Sequence, residues 1–312
     1  MSRLEWHDIP ASVRAQIEDV LGSPVVEAVS QPGGYSPGSA DRVVTASGRR
    51  AFVKAASPAV NLDTPTIHRR EAAITAKLPP QVPAPALIGA VDDGDWIALV
   101  LEDVEGRHPA TPWQPRELDA VLDALQQVAA VELPADVPVV DAGEALAGFA
   151  VDRWQVITPE VVPPLPRGLD AWTRTHFEGL VDAATRGVSD ARGDRLVHYD
   201  TRADNILLRP DGSVVLVDWP WAARGAGWFD ALSLLINVRY YEPDTDVDAL
   251  IVRHPVFEGM PADAATNVLA GFAGMFLASS LQPDPPRMPT LRTFQRDQAV
   301  VTLELVRERW QG

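Results

Sequence analysis

Polar and apolar positions follow two different rhythms along this chain. In the first hundred residues, apolar positions come in short runs or alternate with polar ones. Residues 25–31, 41–46, 51–56, 87–92 and 96–102 carry that pattern and are expected as strands. The turn at 47–50 and the DDGD turn at 92–95 break the runs, and a Gly/Pro/Ser-rich turn, PGGYSPGS, fills 32–39. Only two stretches here have a helical period. One is 11–21, ended by Gly22. The other is 64–78, with Pro65 near its start and Pro79 just past its end. Beyond residues 103–106 the rhythm changes to 3.6. Helices are expected at 115–133, 141–157, 169–187, 228–241, 245–253, 261–279 and 290–310, with a Pro-rich loop at 159–168. The expected fold is therefore α+β and bilobal. A small antiparallel sheet lobe with one inserted helix (1–103) would meet a larger, mainly helical lobe (104–312) at a ligand-sized cleft.

Composition narrows the function. With 46% hydrophobic residues and nine Trp, the 312 residues can build a full core. No apolar run reaches the ~18 residues of a membrane span. The N-terminal MSRLEWHDIP has no apolar signal segment, so a cytoplasmic enzyme, monomeric or homodimeric, is expected. The absence of cysteine excludes disulfides, thiolate metal sites and thiol catalysis. A net charge of −16 argues against nucleic acid as a partner. The excess is uneven. Residues 1–101 hold 11 acids and 9 bases, and residues 102–312 hold 32 and 18. An acidic second lobe suits a cationic ligand, or serves solubility alone.

The chemistry concentrates in VHYDTRADN, residues 197–205, and in Asp218 at the end of VVLVDW. Residues 205–209 and 214–219 read as two strands joined by the turn Pro210, Asp211, Gly212 and Ser213. Such a hairpin returns Asp218 to the neighbourhood of Asn205. Phosphoryl transfer needs a carboxylate to orient the attacking hydroxyl, and oxygen ligands to hold Mg²⁺ against nucleotide phosphates. Asp200 suits the first task, and Asn205 with Asp218 the second. Taken singly, these residues could equally cap turns or end a strand; the spacing of all three on one hairpin favours chemistry. His198 is expected to pack inside the catalytic loop.

Lys54 adds a second half to the site. Of 27 basic residues 25 are Arg, so a Lys inside the apolar strand AFVKA stands out. Glu71 falls on the helical stripe Ile67, Glu71, Ile74, Leu78. A Lys54–Glu71 pair would satisfy both charges and aim the ammonium at the α- and β-phosphates. The bland alternative has Glu71 at the edge in water and Lys54 snorkelling. Upstream, Gly33, Gly34 and Gly38 would let backbone N–H groups approach phosphate, with hydroxyls from Ser36 and Ser39. Backbone groups from Glu102 to Val104, at the lobe junction, could bond a purine edge.

In this order the Gly-rich turn, strand Lys, helix Glu, HxDxxxxN and Asp218 resemble the aminoglycoside phosphotransferase family, over about residues 25–240. That resemblance implies a protein-kinase-like fold, ATP and Mg²⁺ as cofactors with GTP an open alternative to ATP, and a small hydroxyl-bearing acceptor. It makes Asp200 the catalytic base and Asn205 and Asp218 the metal ligands, with Lys54 and Glu71 positioning ATP. Asp230, in GWFDAL, would brace the catalytic loop. Arg202 stands where protein kinases carry a Lys near the γ-phosphate and would neutralise charge there. Asp204 and Glu242 are candidates to face a cationic acceptor such as an aminoglycoside. Three features depart from the pattern: Tyr199 replaces the usual Gly, DWP (Asp218, Trp219, Pro220) replaces DFG, and the turn lacks GxGxxG. Two other functions compete: a kinase-like module that binds nucleotide without turnover, and a metal-dependent hydrolase using His198, Asp200 and Asp218. The hydrolase leaves Lys54 and Glu71 unexplained.

Overall fold

The computed structural model describes residues 4–31, 37–285 and 288–311. The first region is a five-stranded antiparallel sheet in the order β1-β2-β3-β5-β4. Its strands are β1 (Val25–Ser30), β2 (Ser39–Thr45), β3 (Arg50–Ala56), β4 (Leu87–Asp92) and β5 (Ile97–Leu101). Alternation along them separates the two faces. Val53, Ala55, Ala98 and Val100 pack with Ile17 and Leu21 of α1 (Ala11–Leu21). The helix stops at Gly22, whose φ of 75° closes it in the left-handed conformation. On the other face, Phe52, Ala56, Leu99 and Leu101 pack with Ala72 of α2 (Thr64–Thr75). Lys54 shares that second face with Phe52. Because α1 covers the outer face, Lys54 points towards α2 and the junction.

The helical region begins with α3 (Pro115–Ala130), whose apolar stripe Leu118, Val121, Leu122 and Leu125 is buried. The helix expected over 141–157 is broken. It runs as α4 (Ala142–Leu146), a π-helical turn (Ala147–Val151) and α5 (Asp152–Gln155). The break seats Trp154, whose Nε1 donates to Ala270 O at 2.9 Å. A Cβ at Gly274 would lie 2.3 Å from that ring nitrogen, so glycine makes the space. The helix expected over 169–187 is also two, α6 (Leu169–Thr175) and α7 (Phe177–Asp190), parted at His176. Then follow α8 (Phe229–Tyr241), α9 (Val247–Arg253), α10 (Ala264–Ser280) and α11 (Leu291–Gln311). Alpha-10 is hydrophobic all round and packs between α7 and α11.

Short strands frame the loop of residues 198–205. Strands β6 (Val140–Asp141), β7 (Arg195–Val197) and β10 (Ala223–Gly225) form a three-stranded sheet in the order β6-β10-β7. Between them lies the hairpin of β8 (Ile206–Leu208) and β9 (Val214–Leu216). Among the described residues no helix is long and apolar enough to cross a membrane.

Candidate active site

The loop of residues 198–205 is anchored before its charged groups are placed. Asp230, at the start of α8, accepts the backbone N–H of His198 at 2.5 Å and of Tyr199 at 2.8 Å. Burial pushes the Asp230 carboxyl up, while the two backbone N–H groups act in the other direction. His198 is fully buried. Its Nε2 lies 2.9 Å from Val217 O, and the Asp200 N–H approaches its Nδ1 at 3.4 Å, which together require the Nε2–H tautomer. Its ring meets the Trp219 ring edge-on at 4.6 Å. Tyr199 sits at φ 72°, in the region that favours glycine, and its ring stacks on Phe229 at 4.8 Å. Asn237 was not singled out by the sequence. Its buried Oδ1 accepts Trp113 Nε1 at 3.2 Å and Ala203 N at 3.3 Å, so α8 holds the loop a second time.

Asp200 is reached from both sides. Asn205 Nδ2 donates to Asp200 Oδ2 at 3.0 Å and to its backbone O at 2.8 Å. Arg202 Nη1 donates to Asp200 Oδ1 at 3.0 Å. The same guanidinium grips Asp204 through Nε at 3.0 Å and Nη2 at 2.9 Å. Burial disfavours the charge on Arg202, but Asp200 and Asp204 outweigh it and raise its pKa. The Arg202 guanidinium also lies 5.6 Å from the Phe294 ring centre, on α11. Asp204 is thus engaged by Arg202 as well as lining the cavity.

Across the junction, Lys54 Nζ bonds Glu71 Oε1 at 2.7 Å, Glu71 Oε2 at 3.0 Å and Asp218 Oδ1 at 2.8 Å. The Glu71 side chain is 2% exposed and that of Asp218 is 42% exposed. Burial disfavours the ammonium, yet Asp218 and Glu71 together hold the Lys54 pKa above its ordinary value. Burial pushes Glu71 up, to about 7, against the pull of Lys54. Burial also works against ionised Asp218, but Lys54 prevails and holds it down, at about 2. Asp218 has a φ of 69°, and Val217 N donates to Asn205 O at 2.9 Å. The hairpin therefore brings Asn205 and Asp218 to one end. Asn205 Oδ1 and Asp218 Oδ2 have no partner among the described residues, and both residues line the cavity. Two oxygen donors with open coordination suit a hard cation whose other ligands are phosphate and water. Among the described residues, no group of three or more His, Asp or Glu side chains offers a complete protein cage.

The cavity measures about 470 Å³. Lys54, Glu71, Asn205 and Asp218 lie at one part of its wall, and Glu102 and Val104 at another. Other expected residues lie elsewhere. Gly33, Gly34 and Ser36 fall outside the described residues. Gly38 and Ser39 are buried at the start of β2 and do not line the cavity. A Cβ at Gly38 would come within 2.6 Å of Ala55 O, so close packing on β3 accounts for that glycine. Glu242 follows α8, accepts Thr245 Oγ1 at 3.3 Å, and is not part of the cavity wall.

Residues 33–272 match the model of a phosphotransferase enzyme family. The chain belongs to that family. A search of curated proteins by sequence finds no match. Among solved structures, one similar chain is a thermostable mutant of aminoglycoside phosphotransferase APH(4)-Ia, in ternary complex with ADP and hygromycin B. It is 14% identical at a TM-score of 0.60, over 96% of this chain and 98% of that one. Spectinomycin phosphotransferase APH(9)-Ia, in complex with ADP and spectinomycin, is 12% identical at 0.59, over 95% and 98%. Choline kinase LicA from Streptococcus pneumoniae is 13% identical at 0.60, over 96% and 98%. At such identities the likeness concerns the fold, which is α+β and protein-kinase-like, as the sequence resemblance implies.

Proposed function

We propose that this phosphotransferase moves the γ-phosphoryl group of ATP, with Mg²⁺, to a hydroxyl of a small polar molecule. Residues 1–103 then form the nucleotide-binding lobe, and residues 104–312 the catalytic and substrate-binding lobe. The observation that carries the reading is the meeting of two bonded clusters: Lys54, Glu71, Asp218 and Asn205 line one cavity, and Asn205 is bonded to Asp200. Asp200 orients the acceptor hydroxyl and takes its proton as the new P–O bond forms and the bond from the γ-phosphorus to the bridging oxygen breaks, that oxygen leaving on ADP. Asn205 and Asp218 hold the metal, which when bound neutralises charge on the phosphates. Lys54, fixed by Glu71, meets the α- and β-phosphates. Arg202 holds Asp200 in place and lends positive charge beside the transferred group. His198 and Asp230 keep the loop in register.

An aminoglycoside or another amino-sugar is the favoured acceptor. The support is the acidic excess of residues 102–312, together with neighbours crystallised with hygromycin B and spectinomycin. Asp204 is the better placed of the two candidate acceptor carboxylates, since it lines the cavity. The test is ATP consumption with Mg²⁺ against a panel of amino-sugars, macrolides and amino alcohols, with Asp200→Ala as control. Turnover with an acceptor, lost in the variant, is expected. Nucleotide binding with no turnover on any acceptor would favour a non-catalytic binding module.

A further inference from the structure

Two tryptophans flank Pro220 in the segment that follows Asp218, and their surroundings differ. Trp219 is buried, with Nε1 donating to Leu216 O at 2.8 Å and its ring against His198. Trp221 is half-buried. The Phe149 ring, on the π-helical turn Ala147–Val151, meets it edge-on at 5.7 Å. The Arg70 guanidinium, on α2, lies 5.7 Å from the Trp221 ring centre. Arg70 is half-buried and has no hydrogen-bond or ion-pair partner among the described residues. Burial alone acts on its charge, and lowers its pKa. Arg70 and Glu71 are neighbours on α2, so they point about 100° apart around its axis. Glu71 bonds Lys54, which bonds Asp218 at 2.8 Å. Adjacent residues of one helix thus engage both ends of the four-residue segment from Asp218 to Trp221, one directly and one through Lys54. Between those ends, Pro220 has no N–H to fasten. Neither Arg70 nor Trp221 lines the cavity. Any effect they have on chemistry passes through Glu71 and Asp218.

We propose that Arg70 and Trp221, together with Phe149, are positioning residues for the phosphoryl transfer put forward above, a role that rests on that reading. An arginine cation is attracted to the electron-rich face of an indole, the more so where water is partly excluded. The edge-on Phe149 ring adds a second favourable contact from the helical region. The stack clamps α2 to the helical region at a point separate from Lys54. With the clamp in place α2 cannot rock on the sheet, and Glu71 holds Lys54 at one distance from Asp218. That distance matters most as the phosphoryl group moves and charge shifts, when a small misplacement costs rate. Binding of the nucleotide in its ground state draws on the whole cavity and depends on it less. The clamp thus does for the Asp218–Trp221 segment what a backbone donor at residue 220 cannot do.

Two measurements on the whole chain test this: amide hydrogen exchange without ligands, and steady-state kinetics with ATP, Mg²⁺ and the first acceptor turned over in the panel above. In Arg70→Gln, the amides of α2 (Thr64–Thr75) should exchange about 3- to 10-fold faster than in the unaltered chain, and those of α10 at the same rate. Arg70→Gln and Trp221→Leu should each lower kcat by about 3- to 10-fold, with the ATP KM unchanged within about twofold. Combined, they should lower kcat no further than the worse of the two, because either change alone empties the same contact. Arg70→Lys keeps the cation and should return kcat to within about threefold of the unaltered chain. Unchanged exchange in α2 would overturn the clamp. Falls in kcat that multiply in the double variant, or a raised KM at unchanged kcat, would overturn the positioning role. Arg70 is half-exposed, so Arg70→Gln decides the matter even if Trp221→Leu fails to fold. No turnover by the unaltered chain on any acceptor would overturn the phosphotransfer reading, and exchange would still decide whether Arg70 clamps α2.

Discussion

Lys54 Nζ lies between two carboxylates that see very different amounts of water, Glu71 at 2% and Asp218 at 42% exposed. Removing Lys54 leaves the buried Glu71 carboxyl without its cation, so that it must take up a proton or stay ionised unpaired, a loss of about 3 kcal/mol. Lys54→Met should therefore fall by about that amount in urea denaturation, and Lys54→Met with Glu71→Met should recover most of it. Neither variant should transfer phosphoryl groups. A double variant as unstable as the single would show that the buried charge is not the cause. Tyr199 poses a different balance. Its φ of 72° costs roughly 1 kcal/mol relative to glycine, while the stack on Phe229 and burial of the ring return more. Stability should fall in the order wild type, Tyr199→Gly, Tyr199→Ala, since alanine keeps the strain and loses the stack; alanine above glycine would contradict this. For Asp204, burial opposes ionisation, but Arg202 outweighs it and holds the carboxyl below its ordinary value. As pH falls, the unfolded chain takes up that proton first. The pair therefore stabilises the fold above about pH 4 and is lost as pH falls through the lower folded value. The Tm deficit of Asp204→Asn should be present at neutral pH and shrink between about pH 5 and pH 3; a constant deficit would contradict it.

The elements differ in how well the sequence foretold them. The sheet strands and α2 were legible because alternation and a helical stripe each expose one rule at a time. The stripe also placed Glu71 opposite Lys54, and the hairpin turn placed Asp218 beside Asn205. The breaks at 147–151 and at His176 were not legible, because they answer to packing: Trp154 needs the space that Gly274 leaves. The short strands β7 and β10 are three residues each and carry no period. Asn237 acts through a backbone group far away in the chain, which leaves no local pattern. Alpha-11 carries no motif, yet its Phe294 ring lies under Arg202. Since Arg202 bonds Asp200, loss of that ring should loosen the catalytic carboxylate. Phe294→Leu is expected to lower kcat by about 3- to 10-fold, roughly 1 kcal/mol, with little change in nucleotide KM. Phe294→Tyr should restore it. A rise in KM at unchanged kcat would place Phe294 in nucleotide binding instead.

At the scale of the whole molecule, the sheet and the helices have largely separate cores. Ile74 of α2 is buried in the larger one, so α2 belongs to the sheet by contact and to the helical core by burial. The Lys54–Asp218 pair spans the same junction and ties the sheet to the end of the β8–β9 hairpin. This geometry suits the phosphoryl transfer proposed above, with the Asp200 carboxylate bonded to Asn205. The most direct measurement follows the phosphoryl group itself. With γ-labelled ATP, Mg²⁺ and an amino-sugar panel, the label should appear on an acceptor hydroxyl with the wild-type chain. With Asp200→Asn the rate should drop by about 10²-fold or more while ADP still binds. Label released only to water, or transfer that persists unchanged in Asp200→Asn, would contradict the assignment.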